Sequence, residues 1–424
     1  MKKYSGVIIL GGGFGGVRVA QELSKKLGSA VQITVIDKKN HHLFYPALYE
    51  VASAYIDKYN PQKHDPYDSE LRNSVSIPFS DIFSKYKNVD FIQAEVASVN
   101  LRAKEVCLES DNVINFKYLV IAMGSEVATF DIPGVEEYAY SFRTINDAIL
   151  IHQRLNELHN EIYKGKKSSP IKVIIGGGGF TGVELAGELL SSSNVFKKMN
   201  KLKDKCIEIT MLEASDKIMG PISKTARKQI EKRLKRLGVI IKTNKVIEKI
   251  DGNSLEIKGG EIMVADMIIW TAGIKGPALL SRIDGLRLDN KDRAKVEKNM
   301  QAVGEDCIYV IGDNAISIDQ KTGTPVPALG YVASDQAKVV AQNIGRQMRG
   351  EKTLKNYKPN YSTWVIPIGG KFAVAHLPFK IIVVGFFGWV IRVLVNLRYF
   401  ISIMSLLNAF RLLFKETRLF IKND

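Results

Sequence analysis

Cysteine is scarce in this chain, and the few cysteines are poorly placed for redox chemistry. Among 424 residues, Cys107, Cys206 and Cys307 lie about 100 residues apart, and no two of them form a C-x-x-C pair. This spacing excludes a disulfide framework and a dithiol redox centre. The three residues are therefore predicted to be small apolar side chains in or near strands.

Long apolar runs are also missing, even from the apolar C-terminal region. Ile381–Ile391 is uncharged for eleven residues before Arg392, and Tyr399–Phe410 is uncharged for twelve between Arg398 and Arg411. A helix that spans a bilayer needs about 20 such residues. At the other end, about four apolar residues precede the first glycines, which is too few for an export signal. Neither a spanning helix nor an export signal is predicted.

Acidic residues are outnumbered by basic ones. The chain has 60 Lys and Arg residues against 44 Asp and Glu residues, which gives a formal net charge of +16. Such an excess suits nucleic acid, an anionic membrane or an anionic ligand. No basic block with interleaved aromatic residues occurs in the first 370 residues, so nucleic acid is not an expected partner. No metal site is predicted.

One pattern of strand, glycine turn and helix occurs twice, 166 positions apart. The first copy, VIILGGGFGGVRVAQEL, begins at Val7, and the second, VIIGGGGFTGVELAGEL, begins at Val173. In each case the next strand ends in an acid, which is Asp37 after the first copy and Glu213 after the second. The offset is too long for a solenoid repeat. The pattern therefore predicts an α/β fold in which one type of domain is used twice.

Both copies have the spacing of a dinucleotide-binding turn. Such a G-x-G-x-x-G turn lets a pyrophosphate approach the backbone, where the helix N-terminus supplies N–H donors. The acid that follows can accept hydrogen bonds from ribose hydroxyls. At the second site Glu213 favours NADH by repelling the 2′-phosphate of NADPH, although Lys217 leaves NADPH open. The glycines are Gly11, Gly13 and Gly16 in the first copy and Gly177, Gly179 and Gly182 in the second.

Two dinucleotide sites in one chain imply that two dinucleotides exchange electrons, and NADH and FAD are the common pair. The segment IYVIGDNA places Asp313 at the end of another strand, where its carboxylate can hold a ribityl chain. FAD is therefore assigned to the first site and NADH to the second. FAD is expected to be bound non-covalently, although His41 and His42 lie near the expected approach of the flavin.

The order of the elements predicts three regions. A discontinuous FAD-binding domain is expected from 1–143 and 277–345, an NADH-binding domain from 144–276, and a hairpin with amphipathic helices from 346–424. Ile56–Ser76 is predicted to be a polar surface loop. The main predicted elements are strands Gly6–Leu10, Val31–Asp37, Ile171–Ile175 and Cys206–Glu213, helices Phe14–Leu27, Phe180–Leu190 and Lys224–Leu237, and a helix with a capping box from Thr144 and Asp147.

The sequence resembles the type II NADH dehydrogenases, which are single-subunit, FAD-dependent NADH:quinone oxidoreductases of the two-dinucleotide-binding-domain flavoprotein superfamily. The resemblance covers nearly the whole chain and rests on GGGFGG, NHHLFYPALYEVAS, YLVIAMGSE, GGGFTGVELAGEL, WTAGIKG and VIGDNA. It implies a glutathione-reductase-like fold of two Rossmann-like domains, followed by an amphipathic helical region that anchors the protein to a membrane.

The resemblance also implies roles for individual residues. Glu184 is expected near the nicotinamide and flavin rings, whereas Arg18 stands at the equivalent position of the first copy; the alternative is that Glu184 merely complements the helix dipole. The expected FAD contacts are Gly11, Gly13, Phe14, Gly15, Gly16, Asp37, Lys38, Pro46, Ala122, Gly124, Asp313 and Ala333. The expected NADH contacts are Gly177, Gly179, Phe180, Thr181, Gly182, Glu213, Ala272 and Gly273.

One segment departs from the family. The helix after Asp313 usually carries two glutamines on the quinone side of the flavin, but Tyr331 and Asp335 occupy those positions here, and PALGYVASDQAK is closer to sulfide:quinone oxidoreductases. Asp335 is therefore a candidate proton relay, provided that burial raises its pKa, or else an ordinary helix aspartate. Arg392, where relatives often carry a lysine, is expected to orient a quinone carbonyl or the anionic quinol.

The end of the chain has the pattern of interfacial helices. Arg411, Lys415, Arg418 and Lys422 share one helical face, and Leu412, Leu413, Leu419 and Phe420 lie off that face. Such helices place cations towards anionic head groups. A dimerisation or core-packing helical pair is the alternative, and a homodimer is left open.

Together these features predict a peripheral enzyme on the cytoplasmic face of the cell membrane. It is expected to oxidise NADH through FAD and to pass the electrons to a membrane quinone without pumping protons. Three alternatives stay open: a soluble flavoprotein reductase that serves a ferredoxin- or rubredoxin-type protein, a sulfide:quinone-oxidoreductase-like enzyme, and a non-catalytic, redox-sensing flavoprotein.

Overall fold

The computed structural model describes residues 3–55, 65–220 and 222–420. The chain alternates strands and helices throughout its first three quarters, as expected for the α/β class. The elements of the N-terminal part are β1 (Lys3–Leu10), α1 (Phe14–Leu27), β2 (Ile33–Asp37), β3 (His41–Leu43), α2 (Leu48–Ser53), α3 (Asp65–Val75), β4 (Ser76–Pro78), α4 (Phe79–Phe83), β5 (Val89–Gln93), β6 (Val96–Asn100), β7 (Glu105–Leu108), β8 (Val113–Ile121) and β9 (Glu126–Val127).

The middle part repeats the same alternation. Its elements are α5 (Val135–Tyr138), β10 (Tyr140–Ser141), α6 (Ile145–Tyr163), β11 (Ile171–Gly176), α7 (Phe180–Met199), β12 (Ile207–Leu212), α8 (Lys224–Leu237), β13 (Ile240–Lys242), β14 (Ile247–Asp251), β15 (Ser254–Ile257), β16 (Glu261–Val264) and β17 (Met267–Trp270).

The C-terminal part returns to the first sheet and then ends in two helices. Its elements are β18 (Ile274–Lys275), β19 (Ala294–Lys295), β20 (Ile308–Val310), β21 (Ala315–Ile316), α9 (Gly330–Met348), β22 (Trp364–Pro367), β23 (Ala373–His376), β24 (Ile382–Gly385), α10 (Phe386–Ile403) and α11 (Leu406–Phe420). We call the last two helices, α10 and α11, the tail.

The first sheet has β1 at its centre. Its strand order is β5-β2-β1-β8-β7-β6, and β20 adds to β8. β1 pairs in parallel with both β2 and β8, so that Val7 lies between Ile33 and Tyr118. Its apolar residues from Val7 to Leu10 are fully buried, as expected for a central parallel strand that is covered on both faces. Because β20 joins β8, the chain after 277 returns to the sheet built by the first 143 residues.

The second sheet is built in the same way around the second glycine turn. Its order is β10-β17-β11-β12-β13, with parallel pairing, and a separate antiparallel sheet β14-β15-β16 lies beside it. The chain enters this sheet at Tyr140, ahead of the predicted domain boundary at 143. Thr144 then caps α6 in a capping box: Asp147 N donates to Thr144 Oγ1 (3.1 Å), and Thr144 N donates to Asp147 Oδ2 (2.7 Å).

Several predicted bounds hold and others shift. Helices Phe14–Leu27 and Lys224–Leu237 have the predicted bounds, whereas the helix that begins at Phe180 continues past Leu190 to Met199. The predicted surface loop Ile56–Ser76 is wrong for residues 65–75, which form α3; residues 56–64 lie outside the described residues. α3 buries only a thin apolar stripe that includes Leu71 and Val75, which is why its polar sequence concealed the helix.

The tail also differs from its prediction. The apolar run Ile381–Ile391 is split, because Ile382–Gly385 forms strand β24 against β23 and the helix begins only at Phe386. α10 then continues through Arg392 and Arg398 for 18 residues, and by length and composition it could cross a bilayer. The prediction from the uncharged runs differs from this result because it treated both arginines as breaks in the apolar segment, whereas α10 continues through them. The basic face of α11 includes Arg411, Lys415 and Arg418, and Lys422 lies outside the described residues.

The last turn of α10 is docked on α1 and on the segment that follows β3. Arg18 Nη2 donates to Ser402 Oγ (2.7 Å), and Gln21 Nε2 donates to the carbonyl oxygen of Ile403 (3.0 Å). Phe400 is fully buried, and its ring lies 4.7 Å from that of Phe44. One face of the tail therefore packs into the core of the protein, and the other face is exposed at its surface.

This docking predicts that the same substitution, Phe to Ala, lowers the free energy of unfolding by different amounts at two positions of the tail. Phe400→Ala removes a fully buried ring and is expected to lower the free energy of unfolding by about 3–5 kcal/mol. Phe414→Ala, in a side chain that is 71% exposed, is expected to change it by less than about 0.5 kcal/mol. Denaturant unfolding of both variants measures the difference; equal effects would contradict the docking of α10.

Candidate dinucleotide and electron-transfer site

The first glycine turn is closed so tightly that side chains are excluded at two positions. Gly11 has φ +98°, and a Cβ there would lie 2.5 Å from the carbonyl oxygen of Ala122; a Cβ on Gly16 would collide with the carbonyl oxygen of Gly11. Gly13 differs, because its nearest such atom is 4.0 Å away. Asp37 Oδ2 accepts from Gly12 N (2.7 Å) and so holds the turn against the end of β2.

The second turn repeats this geometry. Gly177 has φ +114°, and a Cβ there would lie 2.9 Å from Ala272 N, while Gly182 packs against Gly177 as Gly16 packs against Gly11. Gly179 faces open space. Glu213 Oε2 accepts from Gly178 N (2.8 Å). Both turns therefore leave the backbone at the helix N-terminus open to an anionic group, which fits a pyrophosphate.

The other predicted FAD residues gather around the first turn. Asp313 Oδ2 forms an ion pair with Arg143 (2.8 Å) and accepts from Ser125 Oγ (3.0 Å). Gly124 N donates to Asn314 Oδ1 (2.8 Å). Sequence reasoning missed Arg143, whose guanidinium also lies 4.8 Å from the Tyr45 ring; its only local signal is its position directly before the capping box of α6.

The remaining predicted residues occupy the same two regions. Gly15 packs against Ala333 of α9, and Lys38 and Pro46 lie in the segments that follow β2 and β3. At the second site, Thr181 is exposed on the first turn of α7, and the Phe180 ring lies 6.2 Å from Trp364. Gly273, with φ +79°, packs against Phe130.

Glu213 is held in place by its neighbours. Ser215 donates to Glu213 Oε1 from both its backbone N and its Oγ (2.8 Å each). Lys217, the residue that left NADPH open, has its ion pair with Asp216 (3.7 Å). A fixed carboxylate can accept from a ribose but repels a 2′-phosphate.

The equivalent positions of the two copies face different partners. Arg18 and Glu184 are each the fifth residue of their helix, α1 and α7. Arg18 binds Ser402 at the end of α10. Glu184 is half-buried. Desolvation raises the pKa of its carboxyl group to about 8, with Arg392 acting in the opposite direction and Glu50 adding to the rise. A carboxyl group with this pKa holds a proton at neutral pH.

Arg392 lies in a buried cluster of charges that sequence reasoning did not foresee. Its Nη1 lies 2.9 Å from Glu50 Oε1, and its Nη2 lies 3.7 Å from Glu416 Oε1. Its guanidinium also lies 5.6 Å from the Tyr49 ring. No local pattern marks Glu50 or Glu416, because each meets Arg392 only through the fold: Glu50 lies on α2 and Glu416 on α11.

A chain of hydrogen bonds links the tail to the first glycine turn. Tyr399 Oη lies 2.8 Å from His42 Nε2, and His42 Nδ1 lies 3.0 Å from the carbonyl oxygen of Gly12. Burial lowers the pKa of His42 to about 4, so the ring is neutral. A neutral ring that donates from Nδ1 to Gly12 accepts at Nε2 from Tyr399. His42 is thus a structural link between tail and turn.

The helix that follows β21 carries the two residues that stand at the family's glutamine positions. The side chain of Asp335 is 41% exposed and forms an ion pair with Lys338 (2.7 Å). Tyr331 has a buried hydroxyl, and burial raises the pKa of that group. The role of Asp335 as a proton relay stays a prediction.

The three cysteines are unpaired, as predicted. Cys107 lies in β7, Cys206 directly precedes β12, and Cys307 directly precedes β20. Over residues 3–55, 65–220 and 222–420, no group of three or more His, Cys, Asp and Glu side chains could hold a metal ion.

Comparisons with known proteins agree with this geometry. The sequence profile of the pyridine nucleotide-disulphide oxidoreductase family matches residues 5–337. The chain is 28% identical over 404 residues to the type II NADH:quinone oxidoreductase of Haemophilus influenzae, covering 88% of this chain and 87% of that protein. It is 26% identical over 355 residues to the enzyme of the same name from Staphylococcus saprophyticus, covering 82% and 83%.

Solved structures show the same fold. NDH2 from Plasmodium falciparum in complex with NADH matches with a TM-score of 0.81 at 19% identity, over 100% of this chain and 98% of that chain. The sulfide:quinone oxidoreductase of Aquifex aeolicus matches with a TM-score of 0.75 at 20% identity, over 96% and 92%. The predicted fold class is confirmed.

Glu213 predicts the choice of nicotinamide nucleotide. A like-charge encounter with a 2′-phosphate costs about 1–3 kcal/mol, so Glu213→Gln is expected to narrow the preference for NADH over NADPH by about tenfold. Steady-state kcat/KM values for both nucleotides measure this ratio. Asp216→Asn, in the exposed acid nearby, is the control. An unchanged ratio in Glu213→Gln would place the discrimination elsewhere.

Glu184 predicts how stability depends on pH. Because its pKa rises from 4.5 to about 8 on folding, the folded state holds a proton that the unfolded state releases between these values. The contribution of this group is full below pH 4.5 and is lost as the pH rises towards 8. Glu184→Gln cannot titrate, so its Tm should fall less over this range than that of the wild type. Parallel Tm profiles would contradict the raised pKa.

Proposed function

Because the chain belongs to the pyridine nucleotide-disulphide oxidoreductase family, we propose that it is a type II NADH:quinone oxidoreductase. It oxidises NADH at the second glycine turn and reduces a membrane quinone through FAD bound at the first. One observation carries the proposal: the chain has two glycine turns of the same geometry, each held by an acid, and Glu184 lies on the helix that begins at the second turn. The names of the curated relatives support it.

FAD fits the first turn by the space that the glycines leave. The N-terminus of α1 and the open position at Gly13 would receive its pyrophosphate, Asp37 its ribose, and Asp313 its ribityl chain. When bound, FAD accepts a hydride from NADH and returns two electrons to an acceptor. The protein holds the two dinucleotides in place and excludes water between them.

The residues of this chain have distinct tasks in that reaction. Glu213 and the turn from Gly177 to Gly182 bind and orient NADH. Arg143 fixes the carboxylate of Asp313. Glu184, which holds a proton at neutral pH, is the candidate proton donor on the nicotinamide side.

The exposed apolar side chains of the tail, and of the segment from Phe379 to Val384 just before it, support a membrane partner. Monomeric soluble proteins rarely expose a contiguous apolar patch of this kind, and the basic residues of α11 suit anionic lipid. The exposed apolar residues of this region, which we call the apolar face, are Phe379, Ile381, Val384, Phe386, Phe387, Leu394, Val395, Ile401, Leu406, Leu407, Phe410 and Phe414.

The docking of α10 supports an interfacial position over a bilayer crossing. β24 holds its first end in a sheet, Arg392 binds Glu50 at its middle, and Ser402 binds Arg18 at its last turn. A helix that is tied at these three places cannot leave the protein surface to span the membrane. We therefore place the enzyme peripherally, on the cytoplasmic face where NADH is available.

The rival enzymes fit less well. A soluble reductase that serves a ferredoxin- or rubredoxin-type protein has no use for the apolar face. Oxidation of sulfide uses paired redox cysteines, and Cys107, Cys206 and Cys307 each lie at a different strand. A redox sensor would bind NADH without turnover.

Substitution of the apolar face tests the proposal. Phe387→Glu together with Phe414→Glu removes two side chains that are more than 70% exposed, and binding to anionic phospholipid vesicles is expected to fall by about tenfold or more. NADH oxidation with a long-chain quinone in the vesicles should fall with it, while reduction of ferricyanide in solution should persist.

Ile262→Glu is the matched control, because Ile262 is equally exposed on β16 of the NADH-binding part. It should leave both vesicle binding and quinone reduction unchanged. Wild-type protein that reduces ferricyanide but no quinone, or that does not bind the vesicles, would contradict the proposal.

A further inference from the structure

The tail covers a buried cluster that carries more negative than positive groups. Glu50 of α2 and Glu416 of α11 both approach the guanidinium of Arg392 on α10, and all three side chains are at most 11% exposed. Arg392 Nη1 is 2.9 Å from Glu50 and Arg392 Nη2 is 3.7 Å from Glu416. A single guanidinium cannot neutralise two buried carboxylates, and an unpaired buried charge is costly. One of the two carboxyl groups therefore holds a proton.

Glu416 is the carboxyl group that holds it. Glu50 has the shorter contact with Arg392, whereas Glu416 has the longer one and only an amide donor, Asn396 Nδ2, at 3.3 Å. Burial raises the pKa of Glu416, and the nearby Glu50 adds to the rise while Arg392 opposes it.

A small cavity lies between these groups. It has a volume of about 30 Å³ and is lined by Glu50, Arg392 and Glu416, with Trp389, Val393, Asn396, Leu413, Thr417 and Phe420 completing its wall. Glu50 Oε2, Arg392 Nη2 and Glu416 Oε2 are buried and have no hydrogen-bond partner. A space of this size with three polar neighbours is sufficient for a bridging water. Thr417, in the same wall, is exposed, so this part of the wall lies next to solvent.

The Glu50–Arg392 pair also lies close to α7, the helix that begins at the second glycine turn. α2, which carries Glu50, packs against α7. The pKa of Glu184 on α7 is affected by both Arg392 and Glu50. The ion pair therefore stands between two protonated carboxyl groups, one on the tail and one on the dinucleotide site.

Other charged groups border this cluster. α3 also packs against α11, and its described charged side chains are Asp68, Glu70 and Arg72; α2 and α7 add Tyr49 and Glu188, and α11 itself adds Arg411, Lys415 and Arg418. Arg72 is bound to Asn146 and Asp68 to Gln153.

We propose that Glu416 holds and delivers the external proton that quinone reduction consumes. The proposal rests on the proposed function. Overall, NADH, one proton and one quinone give NAD⁺ and one quinol. Glu184 gives its proton to the quinone as the quinone is reduced, and Glu50 passes a proton to the Glu184 carboxylate. Glu416 returns a proton to Glu50 through the cavity water and regains one from solvent. Arg392 stays charged and holds Glu50 in place.

Glu416→Gln tests this role, because the glutamine has nearly the same size and its amide oxygen can still accept from Asn396 Nδ2, but it cannot release or bind a proton. In anaerobic mixing, reoxidation of the reduced enzyme by quinone is expected to slow at least about tenfold, while reduction by NADH stays unchanged. The wild-type rate of the quinone step should fall as the pH rises through the titration of Glu416, and this fall should be smaller in the variant, where only Glu184 still titrates. Glu70→Gln, in an exposed acid of α3, is the control and should behave as wild type.

A second measurement does not depend on turnover. Infrared difference spectra of Glu184→Gln across the same pH range, in which Glu184 cannot contribute, should show a carboxylic acid band that is lost on titration and that the double variant Glu184→Gln/Glu416→Gln lacks. Wild-type reoxidation by quinone at a rate that Glu416→Gln leaves unchanged, or an infrared band that the double variant retains, would overturn the proposal. If wild type reduces no quinone, the proposed function fails instead, and the infrared result still decides whether Glu416 holds a proton.

Discussion

The buried ion pair between Arg392 and Glu50 is the contact on which the rest of the arrangement depends. It lets a positively charged residue sit in the middle of an otherwise apolar helix, and so allows α10 to run unbroken from Phe386 to Ile403. Removal of either partner would leave the other charge buried and unpaired, which costs more than the pair contributes. Through this pair the helix that carries the apolar face is joined to α2, next to the two dinucleotide turns.

The two glycine turns are followed by helices that differ in the residue at their fifth position, and this residue contacts a different part of the protein in each copy. At the fifth residue of the following helix, Arg18 binds the end of α10, whereas Glu184 is a buried carboxyl group within the field of Arg392. In the proposed function, the first copy supports the tail that would meet lipid, and the second supplies the carboxyl group on the nicotinamide side. A quinone dissolves in the membrane, so an enzyme that reduces it needs both parts in one folded unit.

Local patterns predicted much of this structure, and distant partners account for what they missed. The bounds of α1, the capping box at Thr144 and the acids that close both turns are determined by neighbouring residues, and they were predictable. Arg143, Glu50 and Glu416 have no local signal, since each is defined by a partner from another part of the chain. The prediction for Asp335 rests on a family position alone, and its 41% exposed side chain and its ion pair with Lys338 depend on neighbours that the position does not specify.

Sequential anaerobic mixing of wild-type protein with NADH and then with quinone-loaded vesicles tests whether the flavin passes electrons from NADH to a membrane quinone. We expect NADH to bleach the flavin absorbance and the vesicles to restore it within the turnover time. Bleaching that quinone cannot reverse, but that a ferredoxin-type protein reverses rapidly, would contradict the account and favour a soluble reductase.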